Sequence, residues 1–265
     1  MLRFIVSIGV VFGFAVSAPA QDWAKARLEK SPRHGEWVKL KSEKREVQAF
    51  VAYPESKDKA TAVVVIHEIF GLTDWVRLVC DQLAEAGYIA IAPDLLSGAG
   101  PKGGGTESFD GEAVRKAIMA LPADQITGDL NAATDYVAKL PACNGKVAVA
   151  GFCFGGSQSF RFATNNKSVK AAFVFYGTGP DNEADIKRIE TPVYGFYGEN
   201  DARVNATIPK SKELMKAAGK TYEPETYDKA GHGFMRAGEA PDANDANKKA
   251  KDAAWKRWKD LLKKV

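Results

Sequence analysis

The sequence predicts an α/β fold: a mostly parallel central sheet with helices on both faces. Ala62 to Ile66 and Tyr88 to Ala92 are continuous apolar runs, as strands buried on both faces should be. Between them Trp75 to Ala86 carries helical periodicity that stops at Gly87, which completes a βαβ unit. The same alternation then repeats to the end of the chain.

Taken in order, the first twenty residues read as an address. Arg3 gives a positive start, Phe4 to Val16 is apolar, and Ala18-Pro19-Ala20 offers small residues for cleavage, so residues 1–20 are expected to be a signal peptide and the product to be exported to a periplasm or secreted. The alternative, a membrane anchor, needs roughly 20 apolar residues, more than this run supplies. Residues 21–265 then suit one domain: the full sequence, 45% hydrophobic and 26% charged, has ordinary globular composition, with no fixed-period repeat.

Val47 to Ala52 alternates weakly as a strand, and further strands are expected at Lys146 to Ala150, Val169 to Phe175, Val193 to Tyr197 and Tyr222 to Tyr227. Helical stretches separate them near Asp124 to Leu140, Gly155 to Ala163 and Thr207 to Ala218. The glycine-rich stretch Gly98 to Gly105 reads as a loop. At the end, Trp255, Trp258, Leu261, Leu262 and Val265 recur at helical spacing among lysines, as in a helix docked by one face.

The net charge of +4 becomes +3 without Arg3, and the lysines concentrate in the last twenty residues instead of forming a nucleic-acid-binding patch, which argues against nucleic acid as a partner. Stable membrane insertion is not expected, and a monomer is favoured. Cys80, on a helical pattern, and Cys143, in a turn, either pair as a disulfide or remain two buried thiols; no C-x-x-C spacing supports a redox role.

Chemistry concentrates at Lys146 to Gly156, which reads KVAVAGFCFGG: a strand, then Gly151-Phe152-Cys153-Phe154-Gly155-Gly156, then a helix. This is the pattern of a nucleophile elbow, with cysteine where serine is commoner. The sharp turn needs small residues at Gly151 and Gly155 and lifts Cys153 to a helix start, where the helix N-terminus is expected to lower the thiol pKa. Taken alone, the same residues also describe a buried cysteine beside a tight connection.

An elbow predicts an acid and then a histidine after later strands. Val193 runs into an acidic loop holding Glu199 and Asp201, and Ala230-Gly231-His232-Gly233 follows the strand at Tyr222. Of the three histidines, His34 precedes the first strand, His67 ends one and reads as a core or rim residue, and His232 lies among glycines in a loop that gives imidazole little packing purpose. His232 is therefore the candidate general base.

With these motifs in place, the chain resembles the dienelactone hydrolase family, a cysteine-using branch of the α/β-hydrolase fold. The resemblance runs through His67-Glu68-Ile69-Phe70-Gly71, Gly87-Tyr88, Ala92-Pro93-Asp94-Leu95, the elbow, Tyr176-Gly177, Asp201 and Ala230-Gly231-His232. It implies hydrolysis of a small-molecule ester or lactone through an acyl-enzyme, with Cys153 as nucleophile, His232 as base and Asp201, at the usual G-x-x-D spacing, preferred over Glu199 as the orienting acid. It also implies that Glu68 contacts the thiol and helps ionise it when substrate binds, that the backbone N–H groups of Phe154 and Ile69 form the oxyanion hole, and that Arg236 pairs with a substrate carboxylate. No metal and no organic cofactor is expected.

Two departures bear on substrate: Leu96 stands where the family more often has tyrosine, and Arg115 is out of register for a second carboxylate-binding arginine. The glycine-rich segment from Ser97 to Gly111 would suit a mobile pocket wall. Rival readings are a ligand-binding member of the fold without turnover, and a hydrolase acting on other electrophiles such as phosphotriesters.

Overall fold

The computed structural model describes residues 21–43 and 45–265, so the signal peptide expected over residues 1–20 lies outside the described residues. Helix α1 (Asp22–Glu29) leads into an antiparallel hairpin, β1 (Gly35–Ser42) and β2 (Arg45–Ala52). Strand β3 (Ala60–Ile66), helix α2 (Asp74–Glu85) and strand β4 (Ile89–Pro93) form the first crossover, and α3 (Glu112–Met119) and α4 (Ala123–Ala138) lead on to β5 (Cys143–Phe152). Then follow α5 (Phe154–Asn165), β6 (Ala172–Phe175), α6 (Glu183–Lys187), β7 (Val193–Gly198), α7 (Ala202–Asn205) and α8 (Ile208–Ala217). Strand β8 (Tyr222–Tyr227), α9 (Phe234–Ala237) and α10 (Asp245–Leu262) complete the chain.

The eight strands form one sheet in the order β1-β2-β4-β3-β5-β6-β7-β8. From β4 through β8 every pairing is parallel, while β2 joins β1 and β4 antiparallel. The chain steps from β3 outward to β4, then crosses back to β5 and continues the other way. That reversal makes the carboxyl ends of β3 and β5 a topological switch point, where loops diverge and leave a crevice.

Why β3 and the stretch of β5 from Val147 to Phe152 are apolar on both faces is visible in their alternation. Val63, Val65, Ala148, Ala150 and Phe152 feed one core with α2 and α10; Ala62, Val64, Ile66, Val147 and Val149 feed the other with α4 and α5. The first core is built on aromatic rings: Phe152 stacks on Phe175 at 4.6 Å and meets Trp75 at 5.0 Å and Trp258 at 6.0 Å. Burying each such ring contributes about 2–3 kcal/mol. These contacts also hold the residue immediately before Cys153.

Helix α10 docks as its spacing predicts, with Ala254, Trp258, Leu261 and Leu262 buried and Trp255 and Val265 packed alongside. Its apolar face is thus covered by the sheet, leaving none for a membrane surface. No helix among the described residues is long and apolar enough to cross a membrane.

The sequence does not announce β1, α1, α3 or the short helices α6, α7 and α9, and β6 starts at Ala172 and not at Val169, although Lys170 and Ala171 already exchange backbone hydrogen bonds with β5. β1 escapes pattern recognition because it is an edge strand, GEWVKLKS, in which charged side chains replace the apolar signal and also discourage further pairing. Cys143 opens β5 instead of lying in a turn. Cys80 and Cys143 are both buried and free, and they belong to the two different cores, so the sheet stands between them and no disulfide joins them.

Candidate functional site

Five consecutive strands of the order β3-β5-β6-β7-β8 end on one edge, and the loops that follow them bring together Glu68, Cys153, Tyr176, Asp201 and His232. The elbow is the tightest of these connections. Cys153 has φ 55° and ψ −114°, a strained conformation for a residue with a side chain, and it ends β5 and starts α5 with no helical residue between. A Cβ on Gly151 would collide with the Gly155 carbonyl, and one on Gly155 with the Ile66 carbonyl, so both positions require glycine for close approach and not for φ. The Cys153 N–H donates to the Phe175 carbonyl at 3.0 Å and the Ser157 N–H to the Cys153 carbonyl at 3.1 Å, which fixes the turn at both sides.

His232 Nε2 lies 3.1 Å from the Cys153 sulfur, and its Nδ1 is 2.5 Å from Asp201 Oδ2. Asp201 is buried and caps α7, its Oδ1 accepting from the Val204 N–H at 3.4 Å. The rival carboxylate turns away: Glu199 accepts from the Lys229 N–H at 2.8 Å, across the neighbouring turn. The histidine loop is held from three sides. The Asn200 N–H donates to the Ala230 carbonyl at 2.9 Å, the Gly231 N–H donates to Asn247 Oδ1 at 3.0 Å, and the His232 ring meets Tyr176 edge-on at 5.1 Å.

The thiol itself corrects the sequence expectation. Its pKa is pushed up to about 11, because burial and the nearby Glu68 carboxylate disfavour the thiolate more than the Phe154 and Ile69 N–H groups and the Arg203 charge favour it. A helix N-terminus lowers a thiol pKa only where solvent or cations do the rest. The backbone N–H groups of Phe154 and Ile69, from two different strand ends, both act on the Cys153 thiol in favour of its charged form.

Glu68 is buried, and its Oε2 accepts from Arg236 Nε at 2.7 Å, while the Arg236 guanidinium also covers the Phe70 ring at 5.2 Å. In this arrangement Arg236 is already engaged by protein groups, and the Glu68 carboxylate acts on the thiol through its charge. Arg115, by contrast, pairs with Glu112 on the exposed side of α3 and takes no part in the site. His67 is a core residue: fully buried, its Nδ1–H donates to the Glu68 carbonyl at 2.8 Å, Nε2 accepts from the Leu95 N–H at 3.4 Å, and burial holds its pKa below the ordinary imidazole value. It fastens the Glu68 loop instead of taking part in proton transfer.

The segment beginning at Ser97 is tied down near its middle. Asp94 accepts from the Thr106 N–H and hydroxyl, both at 2.7 Å, and Thr106 in turn accepts from the Leu72 N–H at 3.0 Å. Leu96 packs fully buried against Val114 and Ile118 of α3 beside Phe154. Tyr176 was quoted in the sequence only as a motif; it proves to be a buried residue at φ 40° whose hydroxyl has no hydrogen-bond partner among the described residues and whose ionisation is suppressed by burial and by Glu68. The Tyr-Gly step straight after β6 was the signal available for it. Arg203, exposed two residues beyond Asp201, had no sequence signal at all.

Comparison with known proteins gives a consistent result. The family model described as the dienelactone hydrolase family matches residues 47–265. A Salmonella typhimurium protein whose name, carboxymethylenebutenolidase, is provisional is 32% identical over 228 residues, covering 80% of each chain. The carboxymethylenebutenolidase of Pseudomonas putida is 30% identical over 197 residues, 71% of this chain and 80% of that one. Among solved structures, a dienelactone hydrolase-like promiscuous phosphotriesterase from metagenomic libraries superposes with a TM-score of 0.76 at 21% identity, covering 88% of this chain and 98% of that chain, a likeness of fold.

Proposed function

The chain belongs to the dienelactone hydrolase family and is a hydrolase of that family, and from that premise we propose that it cleaves carboxylic esters or lactones through an acyl-enzyme on Cys153. The observation that carries the mechanism is the continuous line of contacts from the Cys153 sulfur through His232 to Asp201, at 3.1 and 2.5 Å.

With a thiol pKa near 11, the resting nucleophile is the neutral thiol, protected from oxidation. His232 Nε2 is placed to take its proton as sulfur attacks the substrate carbonyl, and Asp201 supports the resulting imidazolium and fixes its tautomer. The tetrahedral oxyanion receives the Phe154 and Ile69 N–H groups. As the intermediate collapses, the protonated His232 gives its proton to the leaving alcohol oxygen. Water, deprotonated by the same imidazole, then releases the acid and restores the thiol.

Glu68 and Arg236 supply the gate. A substrate carboxylate that engages Arg236 would loosen its hold on Glu68, and a Glu68 carboxylate free to move off the thiol no longer opposes transfer of the thiol proton to His232. This links ionisation of the nucleophile to occupancy of the site.

Export to a periplasm or the medium is part of the same proposal, supported by the charged start, apolar run and small residues of residues 1–20.

Hydrolysis of p-nitrophenyl acetate by the chain from Gln21 onward, compared with Cys153→Ala and with dienelactone as second substrate, tests the reading. Turnover that vanishes in the variant supports it, and the dienelactone rate reports the substrate class. Equal rates in both proteins return the chain to a binding role.

A further inference from the structure

Gln21, the first described residue, uses its side chain as a cap for a distant helix. Its Oε1 accepts from the Trp75 N–H at 3.0 Å. Trp75 is the second residue of α2, whose own N-cap, Thr73, makes no side-chain cap bond. Gln21 therefore supplies the acceptor that an N-cap side chain ordinarily gives to a helix start. Its backbone carbonyl meanwhile accepts from the Ala24 and Lys25 N–H groups and begins α1. It also borders a cavity of about 360 Å³ shared with Trp23, Arg236, Asp242 and Asn247.

We propose that Gln21, exposed as the amino terminus when residues 1–20 are removed, cyclises to pyroglutamate and caps α2 in that form. The inference rests on the export reading above. The step balances without a co-reactant: the α-amine nitrogen attacks the side-chain carbonyl carbon Cδ, the Cδ–Nε2 bond breaks, and ammonia leaves with the proton that the amine gives up.

What cyclisation keeps and discards matches the contacts. The oxygen that accepts from Trp75 survives as the lactam carbonyl. The amide nitrogen that leaves makes no hydrogen bond among the described residues. The ammonium that disappears would otherwise place positive charge at the amino end of α1, where the helix dipole opposes it.

Export of the full 265-residue chain from a bacterial host, followed by intact-mass and terminal-peptide mass spectrometry, decides the matter. The expected product starts at residue 21 and is lighter by one ammonia than the uncyclised chain. It resists pyroglutamyl aminopeptidase while folded and is cleaved by it once denatured. A product that starts at residue 21 with glutamine intact after prolonged incubation overturns the cyclisation and leaves export standing. Retention of residues 1–20 overturns export and the inference together, and a start at another residue overturns the inference while leaving export standing. Gln21→Ala keeps the cleavage position but has neither ring nor acceptor, and its Tm should fall by about 2–4 °C; an unchanged Tm overturns the capping role.

Discussion

Two thiols in this protein share one electrostatic condition and lead opposite lives. Cys153, at the β5–α5 turn, and Cys80, in the middle of α2, are both pushed above the ordinary thiol range by burial. Around Cys80 the environment is closed: it is fully buried in the core beneath the sheet, with Asp81 further disfavouring its ionisation. Around Cys153 it is open in chosen directions, toward His232, two backbone donors and a half-exposed surface. On the proposed mechanism, burial alone does not decide reactivity. What separates the two sites is a base within reach and donors that can receive charge.

The comparison breaks most readily at the nucleophile. Cys153→Ala should lower kcat for an activated ester by about 10⁵-fold or more, and retention of turnover would leave no distinction between the two thiols. Next in size is the base: His232→Ala should cost roughly 10²–10⁴ in kcat, read from steady-state kinetics.

Alkylation by iodoacetamide sharpens the electrostatic half of the contrast. In the free enzyme the Cys153 rate should keep rising with pH toward its pKa of about 11, and a plateau by pH 8 would refute a protonated resting thiol. Removing the opposing charge moves that titration downward, so Glu68→Gln should speed alkylation at pH 8. Unaltered alkylation would mean that Glu68 does not hold the thiol neutral.

Cys80 gives the smallest effect and the opposite kind. Cys80→Ser buries a hydroxyl without a partner and should destabilise the fold by about 1–3 kcal/mol, with kcat/KM for the ester unchanged. The same thiol sets a pH dependence. Its folded pKa lies far above the unfolded one, so the unfolded state loses its proton first and stability falls as pH rises past the unfolded thiol's pKa, by up to about 1.4 kcal/mol per pH unit. Serine does not ionise there, and urea melts from pH 8 to 10 should show a shallower decline in the variant.

Much of the fold is legible along the chain because its strands are buried on both faces: β3, β4 and β5 have no polar side to confuse with a helix, and Gly87 punctuates the helix between the first two. β1 is hard to read for the complementary reason, since it is an edge strand whose alternate positions Trp37, Lys39 and Lys41 face solvent and only Val38 and Leu40 carry an apolar signal inward. In the site, Cys153, Asp201 and His232 stand out as residue types with little packing purpose at strand ends. Tyr176 and Arg203 do not, because tyrosine after a strand and arginine on a surface helix are ordinary until distance is known.

The sequence by itself determined the strand–helix alternation of the sheet from β2 onward, the glycines that let the elbow turn, and the residue types offered to the carboxyl edge, because these depend on local periodicity and sterics. Only the tertiary structure decided that Asp201 and not Glu199 faces His232, that Arg236 holds Glu68, and that the thiol is held protonated. Those outcomes depend on distances between groups far apart in the chain, and on how much water the surrounding elements exclude. Neither quantity is encoded in any one segment.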